Sequence, residues 1–147
     1  MNDSEYDYLH ELPKQLIDED LDDMSFAQLG EQKKFNGHGI FVSNEKFTVI
    51  QVRKGKRRKT DLTYILMYNK TNSMVRVDIV GAAHHGVPTP HIHIFDDKHN
   101  QGDDVIAIAD LDNYDPTDDI VSSFMEFLKY NNFRNVSVQT KLFNNQC

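Results

Sequence analysis

The stretch from Lys46 to Val80 constrains the fold most. Lys46-Phe-Thr-Val-Ile-Gln-Val-Arg53, Thr60-Asp-Leu-Thr-Tyr-Ile-Leu-Met-Tyr68 and Ser73-Met-Val-Arg-Val-Asp-Ile-Val80 are rich in β-branched and aromatic residues. Such residues suit a pleated, half-buried surface. Asn69-Lys-Thr-Asn72 separates the second and third runs as a turn signal, and Gly55 allows a turn between the first two. Connections this short join antiparallel neighbours. The stretch is predicted to form a three-stranded antiparallel meander.

The flanks read differently. In residues 4–24, Tyr8, Leu9, Leu12, Leu16 and Ile17 recur at spacings of three and four, which predicts helix. Pro13 inside this pattern either kinks the helix or opens a second one. Residues 25–37, with Gly30 and Asn36-Gly37, read as loop, and Ile40-Phe-Val42 as a short strand. A Gly/Pro loop over 81–90 precedes a short strand, His91–Phe95, and Val105–Ala109 is a further short apolar strand. Asp115-Pro116 suits a helix start, and Ile120, Val121, Phe124, Phe127 and Leu128 form an apolar stripe that ends at Asn131-Asn132. The expectation is one α+β domain over residues 1–147: about 1–24 helical, 38–110 mainly strands, 116–131 helix and a last strand at 135–143. Its form is a single antiparallel sheet, a meander, with N-terminal and C-terminal helices packed on one face.

Charge is unevenly placed on a chain of net charge −7. Nine acidic residues in 1–23 are opposed only by Lys14, and residues 96–119 are acidic again. Residues 53–59, Arg-Lys-Gly-Lys-Arg-Arg-Lys, hold six of the sixteen basic groups. Solvated surface is the default reading of such blocks. The functional reading gives Arg53, Lys54, Lys56, Arg57, Arg58 and Lys59 to a nucleic-acid backbone. Tyr64, Tyr68 and Phe47 could stack on bases, although alternating aromatics in a sheet usually belong to a core. The aspartates after Asp96 lack calcium-loop spacing. A single cysteine, Cys147, excludes an intrachain disulfide and a thiolate metal cluster. With a polar, acidic N-terminus and no apolar run of spanning length, the expected location is cytoplasmic.

Candidate chemistry concentrates in Gly81–Asp97, which holds four of the seven histidines. His91 and His93, two apart on a strand, leave one face while Ile92 and Ile94 leave the other. An amphipathic strand alone explains that alternation. If 73–80 pairs with 91–95, Arg76 and Asp78 join the two imidazoles. One chemistry for such a patch is metal-independent endoribonuclease action, with no cofactor. His91 and His93 would be acid and base, Arg76 the phosphate clamp and Asp78 the group that orients an imidazole. The other is a divalent transition metal held by His84, His91, His93 and Asp97. The spacing Gly86…His91-x-His93…Asp97 loosely resembles the first cupin motif, and the alternating histidines echo the nucleotide-hydrolase histidine triad, with Phe95 at its third position.

The order Met-Val-Arg76-Val-Asp78, Gly81, His84, Pro90-His91-Ile-His93-Ile-Phe resembles a family of short, uncharacterised bacterial and phage proteins with an R-x-D … G … H … P-H-x-H signature. The resemblance spans residues 40–133 and is most specific over 74–95. The loop between the histidines is shorter here, and Phe95 stands where a tyrosine is expected. The resemblance implies toxin–antitoxin or phage-defence modules and no established reaction. Three readings follow. The first is a toxin-like protein binding or cleaving RNA, whose partner besides RNA would be an antitoxin. The second is an acidic phage or mobile-element inhibitor of a host protein, and the third a histidine-ligated metal protein or enzyme. The net negative charge opposes the first unless the positive surface is local.

Overall fold

The computed structural model describes residues 1–17, 20–22, 25–54 and 61–139. Helix α1 (Asp3–Glu11) opens at Asn2, whose side chain accepts from the Glu5 amide, and carries Asp3 and Glu5 in its first turn. It stops at Leu12, which Pro13 forces into extended geometry (φ −58°, ψ 126°). The chain then enters strand β1 (Lys14–Leu16), where alternate side chains are buried. The expected continuation of helix to residue 24 is therefore wrong: proline ends the helix and a strand replaces it. A short strand β2 (Asp20–Asp22) follows.

Strand β3 (Gln32–Gly39) occupies much of the predicted loop, and the expected strand at Ile40–Val42 is the turn beyond it, with Phe41 exposed. Its polar, glycine-bearing sequence hides it. Gly37 is required there, because a Cβ would lie 2.6 Å from the carbonyl oxygen of Gln15 in β1. The predicted meander forms as β4 (Lys46–Val52), β5 (Leu62–Tyr68) and β6 (Asn72–Val80). Strands β7 (His91–Ile94) and β8 (Ile106–Ala107) extend it, and the rest of 105–109 turns into a short 3-10 helix. The sheet has seven strands in the order β1-β3-β4-β5-β6-β7-β8, every pairing antiparallel.

Helix α2 (Ile120–Tyr130) starts four residues later than the Pro116 start expected, capped by Asp119 and not by Asp115. Its buried Phe124 meets Phe26, Phe35 and Tyr64, its buried Phe127 stacks on Tyr64, and α1 lies on the same side. His10 of α1 reaches Asn131 at the end of α2 (3.0 Å) and packs on Tyr130. Both helices thus cover one face of an α+β sheet. Strand β9 (Ser137–Gln139) pairs parallel with β2; it starts two residues later than the predicted 135, and residues 140–143 of the predicted last strand lie outside the described residues. Among the described residues no helix is long and apolar enough to cross a membrane.

Among the described residues neither α-helix covers the other face. Cross-strand partners project to the same side, so the register builds two rows across it. One runs Val52, Thr63, Asp78, His91, and the other Lys34, Ile50, Ile65, Arg76, His93. Val75, Val77, Ile92 and Ile94 point into the core, as the alternation predicts.

Candidate functional site

The register between β6 and β7 sets Arg76 opposite His93 and Asp78 opposite His91. All four predicted site residues therefore meet on one patch. Asp78 is its centre. Its Oδ1 accepts from Thr63 Oγ1 (2.7 Å) and Arg76 Nε (3.0 Å). Its Oδ2 faces Nε2 of His91 at 2.8 Å and Nε2 of His93 at 3.2 Å. The opposite ring nitrogens face backbone carbonyls: His91 Nδ1 lies 3.1 Å from Val87 O, and His93 Nδ1 lies 2.8 Å from Gly102 O.

Every nitrogen of both rings therefore meets an acceptor. A neutral imidazole carries one N–H and can satisfy only one of them. Completing all four contacts takes two additional protons or one divalent cation between the Nε2 atoms and Oδ2. Two imidazoliums beside Arg76 would crowd like charges in a cluster where the His91 side chain is only 1% exposed. A divalent metal would supply the same charge while bonding directly to both Nε2 atoms and Oδ2. Metal bonds of about 2.1 Å set donor atoms about 3 Å apart at right angles and about 3.4 Å apart in a tetrahedron, beside 2.8 and 3.2 Å for the two Nε2 to Oδ2 contacts.

Electrostatics follow the same geometry. Burial alone would raise the pKa of Asp78. The hydrogen bond from His93, the charge of Arg76, and the bonds from Thr63 and His91 outweigh it and hold the carboxyl well below the usual carboxylate range. The bond to Asp78 raises His93 against its burial, helped by the Gly102 carbonyl.

The patch forms one wall of an open pocket of about 750 Å³, also lined by Lys54, Asp61 and His84. Arg76 is half-exposed into it. Arg53 is not part of this surface: it lies one residue out of phase and its guanidinium donates to Ala27 O (2.8 Å) on the helix-bearing side. Lys56, Arg57, Arg58 and Lys59 lie outside the described residues. Phe47 and Tyr64 are buried beneath the helices, and Tyr68 is half-buried and donates to Glu45, so none of the three is presented to the pocket as a base platform.

The proposed ligand Asp97 is also misplaced. Its amide donates to Asp3 and its carboxylate accepts from Gln101, which ties it to the N-terminal segment. The carboxylate that meets the histidines is Asp78, one strand away. The sequence reading gave no reason for His84 and His85 to converge, yet their ring centroids lie 4.1 Å apart, and His84 packs 5.1 Å from His93. Asp103, absent from the sequence-based candidates, sits beside both. The hint available was the turn signal at Gly86, which permits a hairpin that turns both rings to one side.

No curated protein and no solved structure matches the chain. A family profile does match, over residues 1–133, and its span includes every residue of this site. The chain belongs to a family of unknown function, DUF6978.

Proposed function

We propose that Asp78, His91 and His93 form a divalent transition-metal centre, and that the protein uses it on a phosphate-bearing substrate, an RNA phosphodiester being the first candidate. One observation carries this reading: two Nε2 atoms converge on one carboxylate oxygen while both Nδ1 atoms are held by carbonyls. Metal-ligating histidines are oriented in that way, with the second nitrogen donating to a carbonyl and Nε2 left as the ligand atom. Thr63 and Arg76 hold Oδ1 and leave Oδ2 for the metal. The bound ion would polarise a phosphoryl oxygen or lower the pKa of a bound water. Arg76 and Lys54 on the pocket wall supply positive charge for an anion, against the net charge of the chain.

A metal-free reading, with His93 as an imidazolium acid and Arg76 as the clamp, is supported by the raised His93 pKa. It requires a ring nitrogen to leave Asp78 or a carbonyl before it can reach substrate. One experiment separates the two. Tag-free protein is assayed for metal by mass spectrometry and for cleavage of single-stranded RNA with and without chelator. The metal reading expects about one tightly held equivalent and activity lost with chelator. RNA cleavage that is indifferent to chelator would transfer the site to the metal-free reading, and a protein that neither retains metal nor binds it on titration would overturn the centre. In the toxin-like setting, induced expression slows growth and Asp78→Asn relieves the effect.

A further inference from the structure

We infer that His84, His85 and Asp103 hold a second divalent transition-metal ion, at the mouth of the pocket, in a site independent of the Asp78 centre. The site is built by a tight turn. His84 N donates to Val87 O (3.0 Å) and Val87 N donates to His84 O (2.9 Å), closing a two-residue hairpin. His85 (φ +48°) and Gly86 (φ +80°) both take the left-handed conformation that such a hairpin needs. Glycine adopts it freely, but histidine is an uncommon choice there. The result is that sequence neighbours, which ordinarily diverge, bring their rings 4.1 Å apart.

Both Nε2 atoms face one oxygen. Asp103 Oδ1 lies 3.1 Å from His85 Nε2 and 3.6 Å from His84 Nε2. The three ligand atoms lie within 4.8 Å of one another. His84 Nε2 is itself buried and has no hydrogen-bond partner, so one nitrogen of the cluster lacks what a metal would provide. Two imidazoles and one carboxylate suit borderline cations such as Zn²⁺, Co²⁺ or Ni²⁺ better than Mg²⁺ or Ca²⁺. Three protein ligands leave positions open, and His84 lines the pocket, so a substrate group in the pocket has a route to them. His84 also packs edge-on against His93 at 5.1 Å, which places the two clusters side by side. Because His85 and Asp103 are largely exposed, this ion exchanges with solvent more readily than the one at Asp78.

The test uses the full, tag-free chain stripped by chelator and titrated with Co²⁺, followed by ligand-field absorption and calorimetry. Wild type is expected to bind two equivalents, one at least tenfold weaker. The pair His85→Ala and Asp103→Asn, both exposed and away from the core, removes the weaker equivalent and keeps the tighter one. Asp78→Asn, or His93→Gln if the former does not fold, removes the tighter equivalent and keeps the weaker. Loss of only the tighter equivalent from a protein that bound one would overturn this inference and leave the Asp78 centre standing. A single weak equivalent abolished by the His85/Asp103 changes would do the reverse. Binding of no Co²⁺ would end both.

Discussion

Two ionic groups are buried on opposite faces of the same sheet, and they are completed in different ways. Lys14 is fully buried under the helices. Its ammonium donates to the carbonyls of His10 (2.9 Å), Leu12 (3.0 Å) and Asn131 (2.8 Å) and lies over the rings of Phe47 and Phe133. Those carbonyls close the C-terminal ends of both helices, where cations are favoured. Three protons meet three acceptors, so the ammonium is built into the architecture although its burial has a cost that lowers its pKa to about 7. Asp78, on the opposite face, is oversubscribed: two imidazole nitrogens approach one oxygen, and each ring has more acceptors than protons. The fold completes the contacts of Lys14, whereas at Asp78 it leaves two rings with more acceptors than protons, a gap that one cation from outside would close.

Exchanging the two losses gives the largest effects. Lys14→Ala should cost about 3–5 kcal/mol in urea denaturation, because it strands the carbonyls of two helix ends and opens a cavity. Metal bound per folded molecule should stay unchanged. Asp78→Ala should weaken metal affinity by more than about a hundredfold, beyond what losing an outer partner costs. If Lys14→Ala strips the metal, or Asp78→Ala lowers stability and leaves metal binding intact, the contrast is broken.

Gly102→Ala is the next largest. Gly102 has φ +89°, and a Cβ there would lie 2.7 Å from the Phe95 ring. The same residue's carbonyl holds His93 Nδ1. Overpacking should cost about 1–3 kcal/mol, and displacement of that carbonyl should weaken metal binding about tenfold. An unchanged metal affinity in a clearly destabilised variant would show that the carbonyl does not orient His93. Thr63→Val is smaller. It removes the donor to Asp78 Oδ1, and should lower metal affinity about tenfold with less than about 1.5 kcal/mol lost in stability.

The parts of this site legible from sequence are those governed by strand alternation. His91, His93, Arg76 and Asp78 sit at even spacings on two β-rich runs, so one assumption about pairing places all four together. The errors have local causes. Leu16 continues the helical spacing of Leu9 and Leu12 and also alternates with Lys14 as a strand would, and only the conformational effect of Pro13 decides between them. Strand β3 is disguised by polar residues and by glycines that neighbouring backbone requires. His84, His85 and Asp103 meet through a left-handed turn and a contact between segments eighteen residues apart, as in the His85–Asp103 pair. Neither has a periodicity to read. Asp97 is near the histidines in sequence, but Asp78 on the paired neighbouring strand is nearer in space.

The smallest effect, on pH, reverses sign with metal. In chelator, the bond to Asp78 raises His93 above its ordinary 6.5, so its stabilising contribution is complete below that value and fades as pH climbs through the raised one. Asp78 contributes above its ordinary 3.8 and fails only in strong acid. Two groups on the helix side act oppositely. Burial, with the charge of Lys14, lowers His10 to about 4, so stability rises with pH between about 4 and 6.5. Burial lowers Lys14 to about 7, and stability rises between about 7 and 10.5. Subtracting the Asp78→Asn profile from wild type cancels both and isolates the histidine side, where stability should fall as pH rises beyond the ordinary histidine value of 6.5. With saturating metal the native rings hold no proton on the ligand nitrogens, so the difference should instead rise with pH up to about 6.5, where the unfolded histidines lose their protons, and level off above it. Thermal melts across pH, with and without metal, measure both slopes. A falling slope in both conditions would mean that the histidines hold protons and never exchange them for a cation.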